Sequence, residues 1–317
     1  MQRHSRLTLA LALVAAGVAA SVVPSPAGAH NSWSNGTAMP VALKFPATAV
    51  IKKQIYVVGG VTGSAVIATT NIYDPATATW STGPSIPNPT MGASGAVVNN
   101  VMYVFGGSSD GSTATDAVWA FNPKTGVWSS KAPMPMARGS TAAVVKNNII
   151  YVIGGIANGT RLDTVESYDP SSDSWTEDTP MDVGKSEVSG ALFGNAIIAA
   201  DGKTASGDTG DNESYDASSN SWTQLAADPT ARNDACTGAI GKKLYVAGGA
   251  DSSDNAEGGS ESYTPAKNVW STLAAIPQPV ASPSSAVYKG QLYCFGGGSV
   301  GTQFQGTLYN TVQIYQR

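Results

Sequence analysis

A Gly-Gly pair closes an apolar run five times along this chain: Gly59-Gly60, Gly106-Gly107, Gly154-Gly155, Gly248-Gly249 and Gly296-Gly297. Asp201-Gly202 falls in the one gap, and successive spacings are then 47, 48, 47, 47 and 48 residues. A second marker keeps the same beat. Trp80, Trp128, Trp175, Trp222 and Trp270 each stand 26 residues before the next pair, as Trp33 does before Gly59. A third is an aromatic seven residues before five of these tryptophans: Tyr73, Phe121, Tyr168, Tyr215 and Tyr263. A period of this length marks a repeated supersecondary unit that buries its apolar surface against its neighbours.

Each unit reads as four short strands. In the third, Gly139 to Val145 is followed by the turn Lys146-Asn147-Asn148 and a second strand, Ile149 to Ile153, stopped by the glycine pair. A polar loop leads to a third strand, Val165 to Tyr168, and an Asp169-Pro170 turn feeds the fourth at Ser174-Trp175-Thr176. Alternating apolar residues between Asn and Asp-Pro turns are hairpin chemistry. Four-stranded units of this length are propeller blades. The Gly-Gly pair, the Tyr-Asp-Pro turn and the Trp, in that order, resemble the kelch repeat over residues 30–317. The resemblance implies an all-β fold, a six-bladed kelch-type β-propeller. The last unit ends at Val312-Gln313-Ile314-Tyr315 without a Trp-bearing fourth strand, while the chain start supplies Trp33 alone. Pairing the two closes the ring, with the N-terminal strand outermost in the last blade; trimming either end is expected to destabilise the whole.

Residues 1–29 read as a secretory signal: Arg3, His4 and Arg6, then the apolar run Leu7 to Ala20, then Ala27-Gly28-Ala29 as a small-residue cleavage site. The expected mature chain is 30–317, exported and without a membrane span, since no other apolar run approaches ~20 residues. The composition, 35 Gly and 18 Pro with 13% charged residues and net charge −4, fits a turn-rich propeller and argues against a nucleic-acid partner.

Loops after the second and fourth strands share one face, where functional residues concentrate. Sixteen positions before each pair stand Leu43, Thr90, Arg138, Lys185, Arg232 and Val280; two further on stand Phe45, Gly92, Ser140, Glu187, Asp234 and Ser282. Units three to five thus offer Arg138, Lys185, Glu187, Arg232 and Asp234 as a charged cup at the channel mouth, with Asp201 in the same sector. Arginines there donate to carboxylates or hydroxyls of a polar ligand. The structural alternative, which the kelch resemblance implies, is an arginine that ties adjacent blades. The acids Asp208, Asp211, Glu213, Asp251, Asp254 and Glu257 follow the pairs of units four and five; they read as solvated loops rather than a calcium site.

The sequence beyond residue 29 has a single histidine, His30. That removes Ser-His-Asp and Cys-His catalysis, a His/Cys zinc site, and the two-histidine copper centre of galactose-oxidase-like kelch propellers. No cofactor is expected. Cys236 and Cys294 fall at the same height in neighbouring units, either as an interblade disulfide or as two small buried residues. The leading expectation is a secreted, monomeric binding module for a glycan or protein ligand, with loop aromatics such as Trp119 or Phe304 as an alternative platform. Two further readings are a sugar mutarotase resembling the kelch-type sialic-acid mutarotases and a structural surface or matrix protein.

Overall fold

The computed structural model describes residues 31–317; the signal-like segment 1–29 and His30 lie outside the described residues. Six four-stranded antiparallel sheets form the blades. Blade 1 holds Ala47–Ile51, Gln54–Val58, Thr70–Asp74 and Thr79–Gly83; blade 2 holds Ser94–Val98, Val101–Phe105, Val118–Asn122 and Val127–Ser130. Blade 3 holds Ala142–Lys146, Ile149–Ile153, Val165–Asp169 and Ser174–Asp178; blade 4 holds Ser189–Phe193, Ala196–Ala200, Asn212–Asp216 and Ser221–Gln224. Blade 5 holds Cys236–Ile240, Lys243–Ala247, Ser260–Thr264 and Val269–Thr272. Blade 6 takes Ser284–Tyr288, Gln291–Phe295 and Val312–Gln316, and its outer strand is Ser32–Asn35, with Trp33 opposite Tyr315.

The burial of each strand follows from its place in the blade. Inner strands alternate, as in Ala142–Lys146, whereas second strands such as Ile149–Ile153 are buried on both faces because a blade packs on each side. Outer strands are mostly exposed, with half-buried tryptophans; in Ser32–Asn35 the flanking serines are half-buried as well. Each outer-strand tryptophan lies opposite an aromatic of the third strand, Tyr315 for Trp33 and the marker aromatic in the other five blades, with ring centroids 4.9–5.3 Å apart. Asn147 and Asn148 both take positive φ, 53° and 65°, giving the tight turn whose twist matches the strands it joins.

Three concentric sets of hydrogen bonds join the blades. Outermost, each of the six outer-strand tryptophans donates its indole N–H to a carbonyl one or two residues past the outer strand of the preceding blade, at 2.8–3.0 Å. Nearer the axis, the second residue of each pair (Gly60, Gly107, Gly155, Gly202, Gly249 and Gly297) donates its N–H at 2.7–3.0 Å. The acceptors are the carbonyls of Thr90, Arg138, Lys185, Arg232, Val280 and Leu43 on the connection to the next blade. The first glycine of the pair is forced by the same approach: a Cβ on Gly106 would stand 2.1 Å from the Arg138 carbonyl oxygen. Innermost, Phe45, Gly92, Ser140, Glu187, Asp234 and Ser282 all adopt positive φ of 53–65° and face the axis. Five backbone links of 2.7–3.1 Å join them around the channel.

Cys236 and Cys294 form a disulfide, Cα atoms 5.7 Å apart, between the inner strand of blade 5 and the second strand of blade 6. No helix among the described residues is long and apolar enough to cross a membrane.

Candidate functional site

Every blade contributes to a cavity of about 490 Å³ at the mouth of the channel, on the face carrying the loops after the glycine pairs. That size lies in the range of small-ligand sites. Five of the six positive-φ ring residues, all but Ser282, line the cavity, and Glu187 and Asp234 from blades 4 and 5 are the charged ones among them. Its rim is built by features the repeat does not announce. Blade 3 inserts the small hairpin Ile156–Ala157/Thr160–Arg161, turned by Asn158-Gly159, and blade 4 inserts Lys203–Thr204/Gly207–Asp208. These hairpins carry Arg161 and Lys203 to the cavity wall. The loop of blade 6 also reaches across the mouth: a Cβ on Gly111 of blade 2 would meet Gln303 Oε1 at 2.6 Å and the Phe304 ring at 3.0 Å. Phe304 is 45% exposed there.

The electrostatics of the mouth are mixed in sign. Lys203 Nζ holds Asp254 Oδ1 at 2.5 Å. Burial disfavours the lysine's charge, but Asp254, Glu187 and Asp208 outweigh it and raise its pKa. Burial pushes the Glu187 carboxyl up, opposed by Lys203 and Arg161. Burial and then the Glu187 charge push Asp234 well above the usual carboxylate range, while Ser282 Oγ donates to its Oδ2 at 2.8 Å. Burial thus disfavours the charged form of both carboxyls, and the Glu187 charge adds to the effect on Asp234. Asp208, whose Oδ1 accepts from Asn233 Nδ2 at 2.8 Å, is also raised by burial.

Of the six residues expected to form the cup, Glu187 and Asp234 line the cavity, and the other four lie elsewhere. This corrects their placement. Arg138, Lys185 and Arg232 are each 0% exposed, because their side chains turn into the following blade rather than toward the axis. Arg138 pairs with Glu166 at 2.6 Å and donates to Thr164 and the Gly154 carbonyl. Lys185 is held by Asp211 at 2.7 Å and Glu213 at 3.0 Å. Arg232 pairs with Glu261 and donates to the Gly248 and Gly259 carbonyls at 3.0 and 2.9 Å. Since each backbone carbonyl is bound by the preceding blade and each side chain by the following one, these residues tie adjacent blades.

Their partners form a column of their own. Opposite Leu43, Thr90, Arg138, Lys185, Arg232 and Val280 stand Asn71, Trp119, Glu166, Glu213, Glu261 and Gln313, at one register position of the third strand. The acids occur where the cations occur. Asp201 is 1% exposed and faces Asp228 rather than the cavity. Burial raises Asp201 well above the usual range with Asp228 adding to it, and burial raises Asp228 to about 6. Asp251 caps its own loop by accepting from the Ser253 and Asn255 N–H groups. Among the described residues no group of three or more His, Cys, Asp or Glu is placed to hold a metal ion.

Six closed four-stranded blades with a loop-face cavity on the axis define a repeat-built β-propeller. The chain is a kelch-repeat β-propeller. The Kelch motif model matches residues 42–87, and the KLHDC2/KLHL20/DRC7 Kelch-repeats domain model matches 81–192. The F-box/kelch-repeat protein At1g67480 of Arabidopsis thaliana is 37% identical over 82 residues, 25% of this chain and 22% of that protein. A second Arabidopsis thaliana relative, the F-box/kelch-repeat protein At1g22040, is 39% identical over 61 residues, 18% of this chain and 13% of that protein. The solved structure of YjhT superposes with a TM-score of 0.73 over 87% of this chain and 96% of that chain at 19% identity, a likeness of fold. Kelch propellers commonly serve as protein-binding or scaffold modules.

Proposed function

We propose that this protein is an exported binding module that holds a charged, polyhydroxylated ligand of glycan type in the channel-mouth cavity. The observation that supports it best is the juxtaposition of Arg161 and Lys203 with Glu187 and Asp234 in one cavity among small hydroxyl and amide side chains. Such a wall offers donors to carboxylate and hydroxyl oxygens and acceptors for hydroxyl protons. Phe304 at the rim supplies an apolar face for a sugar ring. Export is proposed from the signal-like residues 1–29 and from the disulfide, which persists in oxidising compartments. Arg138, Lys185, Asp201 and Arg232 are proposed to hold the blades in register, leaving Glu187 and Asp234 from that set as ligand contacts.

A glycan array and a sialic-acid titration on residues 30–317 test this reading. Saturable binding lost in Arg161→Ala and Glu187→Gln is expected. Binding only to proteins would transfer the site to a peptide partner, and binding that survives both substitutions sinks the cavity assignment. Light scattering on the same preparation checks the expected monomer.

The Glu187–Asp234 pair favours a second reading. These two carboxyls, both raised by burial and lining one cavity, are read as an acid–base couple, the requirement for opening and reclosing a sugar ring at its anomeric carbon. Anomer exchange of a bound sugar, followed by NMR and abolished by Asp234→Asn, distinguishes turnover from binding alone.

A further inference from the structure

In blades 3 and 5 the buried arginine sits in a slot of fixed chemistry. Arg138 Nε approaches the Met136 carbonyl at 3.4 Å, and Nη1 donates to the Gly154 and Thr164 carbonyls, both at 3.2 Å. Arg232 repeats the pattern with the Thr230, Gly248 and Gly259 carbonyls at 3.2, 3.0 and 2.9 Å. In both, the glutamate of the third strand closes the slot. Blade 4 fills its own with Lys185.

Blade 2 has the slot without the cation. Its residue at that position is Thr90, whose short side chain reaches the Gly106 carbonyl at 3.1 Å and no further. The repeat places Asn88, Gly106 and Ala117 where blade 5 has Thr230, Gly248 and Gly259, and all three line a cavity of about 210 Å³. Trp119, half-buried, stands where the glutamates stand in blades 3 to 5 and forms one wall. Blades 1 and 6 resolve the same position differently. Leu43 and Val280 are 0% exposed, and Gln313 turns its amide onto the Gln278 backbone at 2.8 and 3.0 Å.

We propose that the blade 2 slot binds a guanidinium group supplied from outside the chain. By the repeat, the carbonyls of Asn88, Gly106 and Ala117 correspond to those that hold Arg138 and Arg232. An indole face in place of a carboxylate attracts a cation without the need to bury a second charge. A planar guanidinium fits better than an ammonium, because it stacks on the ring while its N–H groups reach the carbonyls in plane. The site shares no lining residue with the axial cavity. The guanidinium comes either from an arginine of a partner protein or from a free small cation, and the two are separable.

The test is an NMR titration of ¹⁵N-labelled protein 30–317, following the Trp119 indole N–H. The probes are L-arginine amide, its neutral isostere L-citrulline amide, and a capped Gly-Arg-Gly peptide. Arginine amide is expected to move the Trp119 signal saturably, and citrulline amide to leave it in place at equal concentration. Peptide binding at least tenfold tighter than that of arginine amide assigns the slot to a partner's side chain; equal affinity assigns it to a free cation. Thr90→Arg supplies the guanidinium in cis and should abolish the shift, with a melting temperature showing that the variant folds. No saturable shift in the unmodified protein, equal shifts with citrulline amide, or undiminished binding in folded Thr90→Arg each overturns the proposal.

Discussion

Arg138 shows what one side chain does in this ring. Its removal leaves Glu166, 4% exposed, with no counter-ion. Stranding one member of a buried pair costs about 3–5 kcal/mol, so Arg138→Ala should lower unfolding free energy by that amount in a denaturant titration. Arg161 sits on the cavity wall instead, and Arg161→Ala should shift stability by no more than about 0.5 kcal/mol while weakening the proposed ligand. In sequence only Arg138 stands in a repeating column; Arg161 does not. The cation column was visible because it repeats, but its partners, Asn71, Trp119, Glu166, Glu213, Glu261 and Gln313, vary too much to stand out. Pairing the columns required the strand register. The acids Asp201 and Asp228 add a pH dependence. Both bind protons more tightly folded than unfolded, so their stabilisation is full below about pH 3.8, the ordinary aspartate value, and is lost for Asp228 as pH rises through about 6. Melting temperatures from pH 5 to 8 should therefore fall in part through this pair. Asp228→Asn should flatten that slope.

At the scale of the element, the strands with the strongest repeated signals were legible; the structure adds one or two residues to some ends and starts the first strand of the third unit at Ala142 rather than Gly139. Ile149–Ile153 matches the reading from sequence, because an apolar run ending in Gly-Gly leaves little latitude. The rim hairpins were not seen. Asn158-Gly159 is a strong hairpin signal, but strands of two residues carry no period to accompany it. The hairpin at Lys203–Thr204 and Gly207–Asp208 lacks even that signal. As a result, Arg161 and Lys203 went unremarked and the mouth looked barer than it is. The tryptophans, read as markers of period, prove to be fasteners. Trp175→Phe keeps the ring packing but loses the bond to the Ala132 carbonyl, and calorimetry should show a loss of about 1 kcal/mol.

For the whole molecule, closure is the property that matters, and it followed from counting strands at the two ends. Deleting Ser32–Asn35 bares the Val312–Gln316 edge of blade 6 and removes the Trp33 link to Ala274. The truncated protein should associate in a concentration-dependent way, measurable by light scattering, because an unpaired edge strand templates pairing. The disulfide reinforces the neighbouring joint. Cys236 and Cys294 are 58 residues apart, and the chain-entropy relation gives on the order of 4 kcal/mol for a loop of that length. Reduction should lower the denaturation midpoint without shifting the ligand site, which lies on the loop face.

The seam in blade 6 also imposes an order in time. Ser32–Asn35 leaves the ribosome first among the described strands, yet its only sheet partner, Val312–Gln316, is made last. At roughly 5–20 residues per second the opening strand waits on the order of tens of seconds for its mate. Ser-Trp-Ser-Asn suits that wait, with three polar residues and one aromatic in a segment too short to pair durably elsewhere. Five blades can assemble while the chain is still growing; the circle itself can be completed only after translation has run past Gln316.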